Sequence, residues 1–240
     1  MKISILGYGK MGKEIEKIAL EHSHKILTKI DNPEDWRKNI SLFKKSDIAI
    51  DFSTPQTAIP NIYKCFEYNI PIVIGTTGWY EKFEEIKKFT INNNKALFYA
   101  SNFSIGVNIF FKINNILAKI MNGHKEYNVK IQETHHIHKL DAPSGTAITL
   151  ANGIIENLDN KKSWTNNKTN KNEELEITSI RKGEISGIHS VEYDSDFDTI
   201  ELKHSAKSRK AFAMGAIIAA EWLYGKKGVF NMNDILSENK

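Results

Sequence analysis

Lys2-Ile3-Ser4-Ile5-Leu6-Gly7-Tyr8-Gly9-Lys10-Met11-Gly12 decides how the first half of this 240-residue chain is read. A short run rich in isoleucine ends in G-x-G-x-x-G, and an amphipathic helical pattern over 11–21 starts inside the motif. In that setting the first glycine turns the chain tightly, the second lets backbone approach a pyrophosphate, and the third lets helix and strand pack closely. The first helical N–H groups then face a diphosphate. Gly7, Tyr8, Gly9, Lys10, Met11 and Gly12 are therefore candidate dinucleotide contacts. An acidic residue should end the next strand about 20 residues on, to accept ribose hydroxyls. Asp31 follows a predicted strand at 25–30, 19 positions after Gly12. A carboxylate there repels a 2′-phosphate, so the expectation leans to NADH over NADPH, although Lys10 beside the loop offers a place for the extra charge.

Outward from this motif the pattern repeats. Strands are predicted at 2–6, 25–30, 47–51, 70–75 and 96–99, and helices at 11–21, 33–43, 56–68 and 80–92. Strands separated by helices predict an α/β fold with a Rossmann-like, doubly wound parallel sheet, whose ligands gather beyond the carboxyl ends of the strands. Three further loops fall at that edge: 51–55, 75–79 and 100–103. Gly75, Thr76 and Thr77 offer N–H groups and hydroxyls to a ribose or nicotinamide, and Ala100, Ser101, Asn102 and Phe103 occupy the equivalent place after the fifth strand. Gly, Ser, Thr and Pro also serve any strand-to-helix turn.

After a long helix at 105–121 the rhythm changes. Strands at 127–134, 175–182, 187–194 and 199–204, with one helix at 144–157, predict an α+β domain with an open mixed sheet. The Asn- and Lys-rich segment 159–174 reads as a mobile surface loop, and 211–224 as an apolar, Ala-rich helix that returns to the first domain. Expected domains are 1–103 plus 209–240, for dinucleotide binding, and 104–208, for substrate binding and oligomerisation.

Composition narrows the classes. Hydrophobic residues at 40% and charged residues at 26% fit a globular chain, and no apolar run approaches the roughly 18 residues of a membrane span. The single cysteine, Cys65, can form neither an internal disulfide nor a thiolate cage. With no secretory signal pattern, the expected location is cytoplasmic. The formal charge of +4 comes from scattered lysines and only three arginines (Arg37, Arg181, Arg209), with no basic run interleaved with aromatics, so no nucleic-acid partner is expected.

The densest chemistry lies in Glu133-Thr134-His135-His136-Ile137-His138-Lys139-Leu140-Asp141-Ala142-Pro143-Ser144-Gly145-Thr146-Ala147. If the stretch stays extended, His135 and Lys139 project to one face, able to supply a proton and hold a carboxylate. Ser144 reads as an N-cap, which would leave the N–H groups of Gly145 and Thr146 as an anion cradle for a substrate carboxylate. The same residues also read as a plain helix start flanked by surface histidines. No metal is expected, because adjacent histidines point apart and no fourth ligand is evident.

This string closely resembles the signature of the 4-hydroxy-tetrahydrodipicolinate reductase (dihydrodipicolinate reductase) family. The resemblance extends through Gly7–Gly12, 51–55, 75–79, 101–108, 181–189 and 204–216. It implies a reductase passing hydride from NADH or NADPH to a cyclic unsaturated dicarboxylate, giving tetrahydrodipicolinate with loss of water, in lysine and diaminopimelate synthesis. It further implies His135 as proton donor, Lys139 as second catalytic group, His136 as a substrate contact, Gly145 with Thr146 as carboxylate cradle, and a homotetramer. The chain departs from longer members in its short 31–51 stretch and in having no arginine after Asp31 to meet a 2′-phosphate. Another NAD(P)-dependent dehydrogenase of a small amino or dicarboxylic acid would keep the Gly-rich fold without the His-His-x-x-Lys and Pro-Ser-Gly-Thr pairing. A non-catalytic NAD-sensing module would need only the first domain.

Overall fold

In the computed structural model, which describes residues 1–208 and 210–238, the strands β1 (Lys2–Leu6), β2 (Lys25–Ile30), β3 (Ile48–Asp51), β4 (Ile72–Ile74) and β5 (Ala96–Tyr99) alternate with helices α1 (Lys10–Glu21), α2 (Pro33–Phe43), α3 (Pro55–Glu67) and α4 (Phe83–Asn92). The β-branched strand residues are buried on both faces, as a parallel sheet covered by helices requires: Ile3, Ile5, Ile48, Ile50, Ile72 and Ile74 are all inaccessible. With the edge strand β11 (Gly228–Phe230), the sheet order is β11-β5-β4-β3-β1-β2, entirely parallel. From β1 the chain runs outward to β2 and then returns to the other side of β1 as β3. That reversal puts the switch point of a doubly wound sheet at the carboxyl ends of β1 and β3, beside Gly7 and Phe52.

The second sheet, which ends on the short strand β7 (Ser163–Thr165), is mixed. Here β6 (Asn128–His135) pairs parallel with β8 (Glu174–Arg181) and antiparallel with β9 (Ile188–Asp194), which pairs antiparallel with β10 (Thr199–Ser205). Val129, Ile131, Val191 and Tyr193 on one face form a core with residues of α5 (Ile105–Met121) and α6 (Gly145–Ile155). The opposite face carries polar side chains such as Lys130, Gln132 and Thr178.

The described chain divides into two units, Met1–Ile105 with Arg209–Lys240, and Gly106–Ser208. The expected segment 209–240 starts on Arg209 and ends on Asn239 and Lys240, which lie outside the described residues. The returning helix α7 (Lys210–Leu223) packs on α1 and on β3, β4 and β5, burying Ala213, Ala216, Ile217, Ala219, Ala220 and Leu223 in the first unit.

Three features differ from the sequence reading. Segment 159–174 is not a free loop: β7 (Ser163–Thr165) lies within it, pairs parallel with β8, and follows a buried Lys161. The predicted helix at 80–92 starts as a 3₁₀ turn, Tyr80–Lys82. Beyond α7, the edge strand β11 (Gly228–Phe230) and the helix α8 (Met232–Glu238) complete the first unit.

Candidate active site

At the switch point the three glycines occupy three different environments. Gly7 has φ +86°, and a Cβ there would stand 2.4 Å from the Phe52 carbonyl oxygen. A Cβ on Gly12 would meet the Gly7 carbonyl oxygen at 2.2 Å, so this position sets the contact between α1 and the loop. Gly9 is the reverse case. It is the N-cap of α1, brings no side chain to the first helical N–H groups, and would place a Cβ in open space. This is a surface that backbone can offer to a diphosphate.

Asp31 accepts a hydrogen bond from the Tyr8 N–H at 2.7 Å, which ties the end of β2 to the loop. Its carboxylate borders a cavity of about 440 Å³ whose wall includes Gly7, Trp36, Ser53, Asn61 and Lys64. The Tyr8 hydroxyl donates to Glu16, which also pairs with Lys29 at 3.1 Å. Lys10 is exposed and Met11 half-buried.

The neighbouring loops are organised by Asp51, a buried carboxylate at the end of β3. It accepts from Ser53 N–H at 3.0 Å, Ser53 Oγ at 2.8 Å, Asn61 Nδ2 at 2.7 Å and Thr76 Oγ1 at 2.5 Å. Burial raises its pKa against these bonds. Thr76 is therefore buried with its hydroxyl engaged inside the protein, while Gly75 is half-buried and Thr77 exposed. In the last loop Ala100 and Phe103 are buried, Ser101 is exposed, and Asn102 accepts from the Ser104 N–H at 2.9 Å. The Phe103 ring lies 5.5 Å from that of Phe52, so this residue packs in the core behind the loop edge.

In the second unit the chemistry gathers at the carboxyl end of β6. Alternation puts Glu133 and His135 on the face that carries the helices. Register then places His189 opposite Glu133 and Arg181 opposite His135. Glu133, fully buried, accepts from the Ser144 N–H at 3.1 Å and from Arg181 Nη2 at 3.2 Å through Oε1. Its Oε2 lies 3.4 Å from His135 Nδ1 and 3.6 Å from His189 Nε2. Burial pushes the Glu133 pKa up, but the polar groups of His189, Ser144 and Ser179 around it hold it well below the usual carboxylate range. His135 is lowered to about 4 by burial and by the positive surroundings of His189, Lys139 and Arg181, against the opposing pull of Glu133.

Arg181 also fastens the following loop, donating to the Asp141 carbonyl at 2.6 Å and the Lys139 carbonyl at 3.3 Å. Strand β6 ends at His135, and the Lys139 N–H turns back to the His136 carbonyl at 3.2 Å. The extended alternation from His135 to Lys139 therefore does not hold; the loop fastened by Arg181, not strand period, sets Lys139. Its ammonium pairs with both oxygens of Asp141, at 2.7 and 2.8 Å. His136 is half-buried, its Nδ1 buried without a partner. Ser144 is the N-cap of α6, its hydroxyl accepting from Ala147 N–H at 3.2 Å and lying 3.1 Å from His189 Nε2. Next to it, Gly145 is exposed, with open space where a Cβ would stand, and Thr146 is half-buried.

Sequence reasoning missed Glu133, Arg181 and His189 as the frame of this corner, and Trp36 and Lys64 in the wall of the cavity beside Asp31. The signal for Glu133 was present, since it stands two residues before His135 on the same strand face. The other two depend on cross-strand register, which a single sequence does not fix. Glu133, His135 and His189 also offer ligand atoms within 4.8 Å of one another, a spacing that suits a metal ion. The Arg181 guanidinium against the same carboxylate counts against a dication there.

A doubly wound sheet with its Gly-rich turn at the switch point, joined to a mixed-sheet unit carrying a histidine–carboxylate corner, defines an oxidoreductase that works with a nicotinamide dinucleotide. The chain belongs to the dihydrodipicolinate reductase family: the family's N-terminal pattern matches residues 1–103 and its C-terminal pattern residues 106–236. It is 45% identical, over 99% of this chain and 98% of the other, to the 4-hydroxy-tetrahydrodipicolinate reductase of Christiangramia forsetii. It is 36% identical to that of Rickettsia bellii, over 94% and 90%. A solved dipicolinate-bound dihydrodipicolinate reductase from Paenisporosarcina sp. TG-14 shares the fold, with a TM-score of 0.80 at 24% identity over 96% of this chain and 97% of that one. No helix among the described residues is long and apolar enough to cross a membrane.

Proposed function

We propose that this chain reduces 4-hydroxy-tetrahydrodipicolinate to tetrahydrodipicolinate, with loss of water, using NADH or NADPH, in the synthesis of diaminopimelate and lysine. The observation that carries the reading is the corner at the end of β6, where one buried carboxylate, Glu133, accepts from the start of α6 and lies 3.4 Å from the His135 imidazole. An imidazole beside a helix N-terminus is what a reducible dicarboxylate needs: a proton at one point and a carboxylate cradle at another.

The bound dinucleotide supplies a hydride. Gly7–Gly12 would hold its diphosphate, with Gly9 leaving room for the approach. Asp31 would take the ribose hydroxyls, and the cavity with Trp36 and Lys64 in its wall would take the adenosine end. Loops 75–77 and 100–103 line the same edge of the sheet and would meet the nicotinamide side. Thr77, which is exposed, offers its hydroxyl there, since the Thr76 hydroxyl already serves Asp51 and the Gly75 and Ala100 N–H groups are held by the carbonyls of Asp51 and Ile74. Asp31 favours NADH, because a 2′-phosphate would sit against a carboxylate held in place by Tyr8.

Gly145 and Thr146 would cradle one substrate carboxylate, and His136 would contact the substrate. Lys139 would exchange Asp141 for the second carboxylate and stabilise the negative charge left on the ring by hydride addition. His135 donates the proton that quenches it. In the free protein that imidazole is neutral at pH 7, since its pKa is about 4. Two incoming carboxylates favour the charged form and arm it.

The substrate unit would also assemble the homotetramer through the polar open face of its mixed sheet, and the enzyme would work in the cytoplasm. Light scattering that gives a monomer at micromolar concentration would count against the assembly. For the activity, the decisive experiment generates substrate in situ with dihydrodipicolinate synthase and follows NADH oxidation. Turnover that disappears in His135→Gln and Lys139→Met is expected. Tight NADH binding without turnover would favour a sensor instead.

A further inference from the structure

At the far end of the mixed sheet from His135, a cavity of about 220 Å³ is walled by Met121 at the end of α5, His124, Tyr127, Asp159, Lys161 and Tyr193. Register sets Tyr193 on β9 opposite Val129 near the start of β6, six residues before His135, or about 20 Å along the strand. Nothing in the reduction described above uses these residues.

Two of them are out of balance. Lys161 is 4% exposed, yet no carboxylate among the described residues lies within ion-pair distance of its ammonium. Its three N–H donors meet two neutral oxygens, Asn128 Oδ1 at 3.5 Å and the Glu174 carbonyl at 3.2 Å. Tyr193 is 1% exposed, and its hydroxyl is buried with no partner. A buried cation without a counter-charge and a buried hydroxyl without an acceptor are each costly, and one anion would relieve both. Burial also lowers the Lys161 pKa, the direction that a counter-ion would reverse.

The rim adds charge of the same sign. Lys125 lines the cavity, and the carboxylate of Asp159, the one acidic residue in its wall, is already engaged by Asn122 at 3.0 Å. The volume holds a small oxyanion with a few waters and is too small for a dinucleotide. We propose that this cavity is a second ligand site, which binds a small oxyanion of the phosphate or carboxylate type on Lys161 and Tyr193.

The test is a titration read at the site itself. Protein with ¹³C at the tyrosine Cε positions, its Tyr193 resonance assigned with Tyr193→Phe, is titrated with inorganic phosphate and, in a separate arm, with acetate. NADH is kept saturating so that the Gly-rich turn is blocked. A saturable shift of the Tyr193 resonance is expected, weakened about tenfold or more in Lys161→Met, as losing a charge-assisted bond implies. The arm that shifts it identifies which oxyanion the site takes.

Thermal melting gives a second readout. Phosphate or acetate, whichever binds, raises the melting temperature of the parent, and Tyr193→Phe reduces that rise while keeping the ring. A Tyr193 resonance unmoved by either anion would overturn the proposal, as would a shift whose midpoint is unchanged in Lys161→Met. Should Lys161→Met fail to fold, an anion-dependent melting rise equal in the parent and in Tyr193→Phe overturns it instead. The readout lies in the second unit and does not depend on turnover, so it stands or falls separately from the proposed reduction.

Discussion

His135 carries two constraints that pull against each other. Its environment lowers its pKa to about 4, while the role proposed for it asks it to give up a proton near neutrality. In that proposal the dicarboxylate reconciles them, since its charges would arrive only in the complex. Calorimetry with dipicolinate in buffers of different ionisation enthalpy should therefore show uptake of up to about one proton at pH 6 to 7, lost in His135→Gln. No uptake in the parent would remove His135 as the acid. The free protein also gives a stability prediction. The folded pKa lies below the unfolded value of about 6.5, so the unfolded chain binds more protons in between. The contribution is complete above pH 6.5 and is lost as pH falls toward 4, at no more than about 1.4 kcal/mol per pH unit for one proton. Urea unfolding across that range should show a shallower slope in His135→Gln. Arg181 is the companion case, because its planar fork reaches Glu133 and two loop carbonyls together. Arg181→Lys keeps the charge but not the fork. It is expected to lower kcat/KM by about tenfold or more, with the fold intact by circular dichroism.

At the scale of elements, the legible parts were those whose local chemistry and tertiary role agree. The run from Lys2 to Gly12 is strand, turn and helix by propensity, by periodicity and by glycine placement at once, and β1 and α1 lie where these put them. The illegible parts are short or set by context. β7 has three residues inside a polar segment and exists because β8 offers it an edge. β11 likewise has three half-buried residues and is held by pairing with β5. The geometry from His135 to Lys139 stayed conditional on an extended chain, because nothing local reveals the Arg181 clasp forty residues on. The helix α6 shows agreement of local and tertiary roles, since Ser144 caps it and also meets His189. Ser144→Ala should cost about 1 kcal/mol of stability from the cap alone, measured by denaturant midpoint at unchanged slope. A further loss of turnover is expected, as the start of α6 loosens against Glu133. An unchanged kcat/KM would separate the cradle from the chemistry.

The molecule as a whole has three cores on one chain, two in the first unit and one in the second, and the first of them is assembled from both ends of the sequence. α7 supplies six buried side chains to it, and Gly215 sits so close to the loop after β5 that a Cβ would meet the Phe103 carbonyl oxygen at 1.7 Å. Because that neighbour is backbone, Gly215→Val cannot be accommodated by a rotamer change; α7 must move off the sheet. Overpacking of this kind costs about 1–3 kcal/mol or more. The cost should fall on one unit, since the core formed by Phe110, Ala118, Ile131, Leu150 and Tyr193 contains no residue of α7. Native-state hydrogen exchange resolves this: in Gly215→Val, protection should fall across β1, β3, β4 and β5 and stay near parent values in β6, β8 and β9. Loss of protection in both sheets to the same extent would mean that the two units unfold as one, and a single unfolding free energy would then describe the chain.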